Sequence, residues 1–223
     1  MTIEVYWGSG SGPAWRVLLA LELKNLDYQS HLLELTKDQQ KKSEILRLNP
    51  RGQIPILKDG EVVVSESLAI MLYLENRYPK PSLFGETPQQ LAKINQLVQE
   101  VLSYMEKPFE AIIRPIFRNR VENNMETLME TAPTVKRELE LVDQLITKSE
   151  WIAGSEISAA DIVFLPTFQR LLRAIDKNPE IANTLQLGLL DDEFHNLLDW
   201  NNRMQALPAF AKTYPPHWRG RKN

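Results

Sequence analysis

The sequence predicts two parts, an α/β N-terminal domain over residues 1–79 and an all-α C-terminal domain over 88–223. Three observations predict this. First, Ile54-Pro55-Ile56-Leu57 and Val62-Val63-Val64 are short apolar runs rich in β-branched residues, and the Asp59-Gly60 between them tolerates positive φ and marks a hairpin. Second, Pro79, Pro81 and Gly85 crowd into a few residues, and breakers so close together mark a boundary. Third, beyond Pro88 the apolar residues Leu91, Ile94, Leu97, Val98, Val101, Leu102 and Met105, and later Leu139, Val142, Leu145 and Ile146, keep helical spacing.

Taken in order, Ile3, Val5 and Trp7 alternate with Glu4 and Tyr6, the period of a strand. The loop Gly8-Ser9-Gly10-Ser11-Gly12-Pro13 leads into a helix whose Val17, Leu18 and Leu21 form a buried face, with Arg16, Glu22 and Lys24 as its polar positions. Tyr28 to Leu35 reads as a second strand and Lys41 to Leu48 as a short helix closed by Asn49-Pro50. Pro55 opens the third strand, where a missing N–H costs no ladder bond. After the hairpin, Ser65-Glu66-Ser67 supplies N-cap hydroxyls to a helix carrying Leu68, Ile70, Met71, Leu72 and Leu74. In the second domain Trp151-Ile152-Ala153-Gly154 ends one element. Ser158-Ala159-Ala160-Asp161 begins the next as a capping box in which Asp161 replaces the usual Glu, with Ile157 and Ile162 as its hydrophobic staple.

Composition narrows the function classes. The chain has 223 residues, 43% of them apolar, and a net charge of -3 from 26 basic and 29 acidic residues. No basic patch argues for nucleic acid, and no run approaches the ~18 apolar residues that span a bilayer. Met1-Thr2-Ile3-Glu4-Val5 lacks the basic region and apolar run of a signal peptide, so the expectation is a soluble, cytoplasmic protein. With no cysteine, the polypeptide forms no disulfide, mixed disulfide or thiolate metal site. His31, His195 and His217 lack metal-ligand spacing and read as structural or surface residues, so no metal is expected.

The order of elements, with Ile54-Pro55 opening a strand and Glu66-Ser67 opening the helix after the hairpin, resembles the glutathione-binding half of the cytosolic glutathione transferases. The capping box at Ser158 resembles that of a buried helix in their second domain. The resemblance spans the chain and is strongest over 49–78 and 151–165. It implies a thioredoxin-like α/β N-terminal domain plus an all-α C-terminal domain, and glutathione as co-substrate. On that resemblance Pro55 is cis, and Ile54 pairs its N–H and C=O with the cysteinyl backbone of glutathione. Ser67, at a helix N-terminus, meets the γ-glutamyl carboxylate, Glu66 accepts from its ammonium group, Gln53 contacts the peptide through its amide, and Lys41 or Lys42 meets the glycyl carboxylate.

Ser11-Gly12-Pro13 followed by Trp15-Arg16 resembles the Ser-x-Pro pattern of serine-type classes such as theta and zeta, which makes Ser11 the hydroxyl that activates the glutathione thiol. The alternatives are Ser9, a second serine in the same glycine-rich loop, and Tyr6, near the end of the first strand, where the tyrosine-type classes place a phenol. Serines in such a loop also serve simply as turn formers. Trp7, Met105, Phe109, Ile112, Ile113 and Phe117 are candidates for an apolar electrophile pocket, although their spacing also suits core packing. The implied activity is conjugation of glutathione to small hydrophobic electrophiles. The alternative is a non-catalytic ligand carrier or assembly module of the same fold. The implied assembly is a homodimer in which Arg51 stands where several classes carry an aromatic key, so that the interface is more polar.

Overall fold

The computed structural model describes residues 2–188 and 193–219. The chain divides into two compact units: the first runs to Leu83 and takes in the chain from Ala206 onward, and the second is Phe84–Gln205. The return of the C-terminal stretch to the first unit was not foreseen, and its cause is an aromatic cluster described below.

In the first unit β1 (Ile3–Trp7), β2 (Tyr28–Leu32), β3 (Ile56–Asp59) and β4 (Val62–Ser65) form one sheet in the order β2-β1-β3-β4. β1 is parallel to β2 and antiparallel to β3, and β3 is antiparallel to β4. The β3–β4 hairpin turns at Gly60, which has φ +61°, a left-handed value that glycine takes at no steric cost. The second strand ends at Leu32 rather than Leu35, because the chain enters short 3-10 turns at Leu35–Lys37 and Gln39–Lys41 before α2 (Ser43–Leu48). α3 (Ser67–Arg77) follows the hairpin.

α1 (Gly12–Leu23) is buried from Ala14 through Leu21 without a break. This corrects the expected polar face, since Arg16 is 2% exposed and Lys24 at the helix end 3% exposed. The reason is that α1 is covered from more than one side, by α3 and by the last helix of the chain. Lys24 is held there by Glu75 at 2.7 Å and by the carbonyls of Tyr78 and Pro81, each at 2.8 Å, which supplies the partners a buried ammonium requires. On another side, Trp15 packs against Phe210, Tyr214 and Trp218 with ring centroids 5.5 to 5.8 Å apart, and its indole N–H donates to Thr213 at 2.9 Å. Those aromatic contacts fasten the C-terminal stretch to α1.

The second unit is helical, as its spacing predicts: α4 (Pro88–Glu100), α5 (Glu106–Phe117), α6 (Met125–Ile146), α7 (Ala159–Lys177), α8 (Pro179–Thr184) and α9 (His195–Ala206), followed in the first unit by α10 (Pro208–Thr213). A π-helical turn, Val101–Met105, joins α4 to α5. α5 packs against both α6 and α7. Leu91, expected on the buried stripe of α4, is 45% exposed, whereas Ile94, Leu97, Val98, Val101 and Met105 are buried. Among the described residues no helix is long and apolar enough to cross a membrane.

α7 begins with the predicted capping box. The Asp161 carboxylate is fully buried and accepts from the N–H of Ile152 and of Ser158, the Ser158 hydroxyl and the Trp200 indole N–H, all within 2.8 to 3.0 Å. Burial raises the Asp161 pKa, and these four donors, which serve the ionised form, oppose the rise. Asp161→Ala would leave all four donors buried without an acceptor, which by the cost of unsatisfied polar groups destabilises the fold by about 3 kcal/mol or more. Urea unfolding of the purified variant checks this, and a loss below about 1 kcal/mol would contradict it.

Candidate active site

The strand register gathers three distant segments. Tyr6 of β1 pairs with Ile56 of β3, and Ile56 pairs with Ser65 of β4. Because β3 is antiparallel to both neighbours, the C-terminal ends of β1 and β4 flank its N-terminal end. The loop 8–11, the dipeptide Ile54-Pro55 and the residues Glu66-Ser67 therefore meet at one end of the sheet. Ile54-Pro55 is a cis bond, as the resemblance implied, and among the described residues no main-chain partner engages the N–H or C=O of Ile54.

The loop before α1 is a turn closed by the Ser11 N–H on the Gly8 carbonyl at 3.1 Å. Ser11 is the N-cap of α1, and its hydroxyl oxygen accepts the Ala14 N–H at 3.4 Å. A serine hydroxyl that accepts in this way still has its own proton to donate. At the start of the helix Gly12 has an N–H outside the helical ladder, while Pro13 has none. With the Ala14 N–H bonded to Ser11, the main-chain donor beside the Ser11 hydroxyl at this helix start is the N–H of Gly12.

The two alternative hydroxyls are otherwise engaged. Tyr6 donates to the Glu4 carboxylate at 3.0 Å and stacks on His31 at 4.5 Å. It belongs to a polar cluster on one sheet face, in which Glu4 also meets Lys58 at 2.7 Å and His31 at 3.1 Å. Burial, and then the Glu4 bond, raise the Tyr6 pKa, while the Lys58 bond holds the Glu4 carboxyl below its ordinary value. The Ser9 hydroxyl lies 2.6 Å from Nδ1 of His217. His217 was read as a structural or surface residue, and no local pattern in the sequence points to this contact across the length of the chain.

At the start of β3 the side chain of Asn49, 4% exposed, donates to the Gln53 carbonyl at 2.9 Å and accepts the Arg51 N–H at 3.1 Å. A residue that reads in sequence only as a helix terminator therefore shapes the approach to Ile54. The Gln53 side chain is exposed. Lys41 is exposed with its amine on the Arg51 carbonyl at 3.2 Å, and Lys42 is the exposed residue preceding α2.

At the start of α3 the structure corrects the expected capping. The N-cap is Glu66, with φ +71° and ψ 118°, and no side chain caps the helix. Neither Ser65 nor Ser67 provides the hydroxyl cap read from the sequence, so the first-turn N–H groups keep their donor capacity and the helix dipole is unopposed there. Ser67 is half-buried and Glu66 is exposed. A non-glycine residue in this backbone region is strained, and such strain concentrates at functional sites.

The apolar candidates divide between the core packing that their spacing also suits and other places in the fold. Phe109, Ile112 and Ile113 are at most 1% exposed, on a helix packed between two others, and serve the core. Phe117 is half-buried, and Trp7 is half-buried with its indole N–H on Ser30 at 2.7 Å. Met105 borders a cavity of about 610 Å³ in the helical unit, together with Leu97, Val101, Leu141 and Leu145, and the rim of that cavity includes Lys93, Glu100, Arg137 and Lys148. Among the described residues no group of three metal-ligating side chains comes together.

The sequence pattern of the glutathione S-transferase N-terminal domain matches residues 11–77, and that of the C-terminal domain matches residues 102–208. Glutathione S-transferase A of Pleuronectes platessa is 30% identical over 221 residues, covering 97% of this chain and 92% of its own length. Maleylacetoacetate isomerase of Mus musculus is 28% identical over 209 residues, covering 92% and 88%. The crystal structure of a glutathione S-transferase from the Antarctic clam Laternula elliptica is similar with a TM-score of 0.83 and 33% identity, covering 99% of this chain and 95% of that one.

Strain at Glu66 has a measurable consequence. Glu66→Gly removes the Cβ that disfavours φ +71° and should stabilise the protein by about 0.5–1 kcal/mol after the added unfolded-state entropy of glycine is offset. Glu66→Ala keeps the Cβ and gains nothing comparable. Parallel denaturant titrations of the two variants decide the matter: equal stability would mean that the backbone there is unstrained.

Proposed function

We propose that this chain, which belongs to the glutathione S-transferase family, binds glutathione across the end of its sheet, ionises its thiol and conjugates the sulfur to small hydrophobic electrophiles. The observation that carries the reading is the convergence, set by the Tyr6–Ile56–Ser65 register, of a hydroxyl donor at Ser11, the main chain of Ile54 beside a cis proline, and an uncapped helix N-terminus at Ser67. In this reading Ile54 pairs with the cysteinyl backbone. The N–H groups and hydroxyl at Ser67 take the γ-glutamyl carboxylate, and Glu66 takes the ammonium group. Gln53 reaches the peptide through its exposed amide, and Lys41 or Lys42 neutralises the glycyl carboxylate.

The chemical demand is modest. A thiol near pKa ~8.5 is only a few per cent ionised at neutral pH, and lowering that pKa by about two units needs roughly 2.7 kcal/mol of preferential stabilisation of the anion. The Ser11 hydroxyl and the Gly12 N–H supply it, since both bind the thiolate more strongly than the thiol. The thiol proton leaves to solvent and a sulfur lone pair forms the new C–S bond. The displaced electron pair departs with the leaving group or, in an addition, takes up a proton. Ser11 is favoured over the alternatives because Tyr6 donates to Glu4 and Ser9 is joined to His217. The relatives named maleylacetoacetate isomerase make reversible thiolate addition a second use of the same anion, which a panel of electrophiles would reveal. A non-catalytic carrier of the same fold would bind glutathione without lowering its thiol pKa.

Ser11→Ala tests the reading. Loss of one hydroxyl donor to a developing anion should lower turnover with 1-chloro-2,4-dinitrobenzene by about 10²–10³ and leave retention on immobilised glutathione nearly intact. Wild-type turnover in Ser11→Ala, with a loss in Ser9→Ala instead, would move the role to Ser9. Full loss in Tyr6→Phe alone would move it to Tyr6.

The same reading includes a symmetric homodimer, the commonest closed assembly. Arg51 is exposed, and Tyr104 and Leu141 lie exposed beside the charged rim of the helical cavity. An interface built from such charged contacts weakens as salt shortens the Debye length to about 3 Å at 1 M. Sedimentation at low and high salt should show a dimer that dissociates more readily in salt. A monomer in low salt at micromolar concentration would contradict the dimer, and indifference to salt would contradict its polar character.

A further inference from the structure

The loop that carries Ser11 contains Gly8 and Gly10, and Gly12 opens the helix after it; a segment so rich in glycine has the most conformational freedom to lose. One end is fixed, because Ser11 caps α1. The other is held from the far end of the chain, where the Ser9 hydroxyl meets Nδ1 of His217 at 2.6 Å. Gly10 has φ +80°, and a Cβ there would lie 2.8 Å from Cε1 of His217, so glycine is what lets the imidazole lie against the loop. His217 is delivered by an anchored segment: its neighbour Trp218 packs edge-on against Trp15 of α1 at 5.5 Å. Both ends of the loop are thereby referred to one helix, and all these residues lie in the first compact unit.

We propose that His217 is a positioning residue for thiolate activation: by holding Ser9 it fixes the Gly8–Ser11 turn, and so keeps the Ser11 hydroxyl and the Gly12 N–H converged on the sulfur of glutathione. The inference rests on the proposed function. It adds a residue from the far end of the chain to the apparatus that sets the thiol pKa. The effect is preorganisation, since donors that must first be ordered stabilise an anion less than donors already in place.

The test follows the ultraviolet thiolate absorbance of bound glutathione against pH, as the difference from the protein alone; with no cysteine the chain adds no thiolate of its own. His217→Ala should raise the apparent thiol pKa of bound glutathione by about one unit while leaving the affinity for S-methylglutathione, which has no thiol, within about twofold. His217→Asn, whose side-chain amide can occupy the place of Nδ1, should restore most of the wild-type value. Ser9→Ala breaks the same bond from the loop side. It should reproduce the shift even if His217→Ala does not fold. An unchanged pKa in His217→Ala or Ser9→Ala, or a shift that His217→Asn does not reverse, would overturn the inference. Wild-type protein that fails to bind either peptide would instead remove the functional reading on which it rests.

Discussion

The antiparallel pairing of β3 with both β1 and β4 is the constraint on which the site depends. Ile56 and Leu57 have no exposed surface, and Ile56 is paired on one side with Tyr6 and on the other with Ser65. A slip of one residue would bring Lys58 to the buried place of Leu57, or Pro55, which has no N–H, to the paired place of Ile56, so burial and pairing together fix the register. Once it is fixed, the loop after β1, the dipeptide before β3 and the residues after β4 have no freedom to be elsewhere. In the proposed reading the chemistry would lie where strands end, positioned by a core that takes no part in it.

Helix termini show how the structure divides its polar groups between stability and function. α4 and α7 begin with reciprocal side-chain caps, Thr87 with Gln90 and Ser158 with Asp161, and α8 begins with the Asn178 side chain. The cap of α7 satisfies donors at a buried helix end and that of α8 at a half-buried one, while the cap of α4 lies exposed. α3 has no such side chain, and its N-cap is a strained glutamate. In the proposed reading, in which an incoming carboxylate takes those first-turn donors, the helix forgoes the roughly 0.5–2 kcal/mol that a good cap contributes. α1 is intermediate: Ser11 caps it through a 3.4 Å contact that occupies the oxygen and leaves the hydroxyl proton free for another partner. The same side chain can thereby end a helix and meet an anion.

Local patterns made much of this legible. The Asp59-Gly60 hairpin, the proline opening β3, the helical spacing beyond Pro88 and the Ser158-to-Asp161 capping box are short-range signals, and each reappears in the structure. What was not legible depends on contacts between distant residues. Arg16 and Lys24 read as a polar face because nothing near them in sequence announces the helices that cover α1, and Glu75, the partner of Lys24, lies on α3. The Ser65 and Ser67 hydroxyls looked like caps because capping residues are recognised by type, whereas the positive φ of Glu66 appears only in the folded backbone. His217 reaches Ser9 because Trp15 gathers aromatic rings from the end of the chain. Phe109, Ile112 and Ile113 have the spacing both of a pocket wall and of a core, and packing decided for the core.

The central claim is that this sheet end holds glutathione as its thiolate, and proton release on binding measures that most directly. Calorimetry of wild-type protein in buffers of different ionisation enthalpy would be run near pH 7.5, between the pKa of the free thiol, ~8.5, and a bound value about two units lower. The account predicts release of roughly 0.8 proton per glutathione bound under those conditions, and none when S-methylglutathione is bound instead. Glutathione that binds tightly with no more proton release than S-methylglutathione would contradict it.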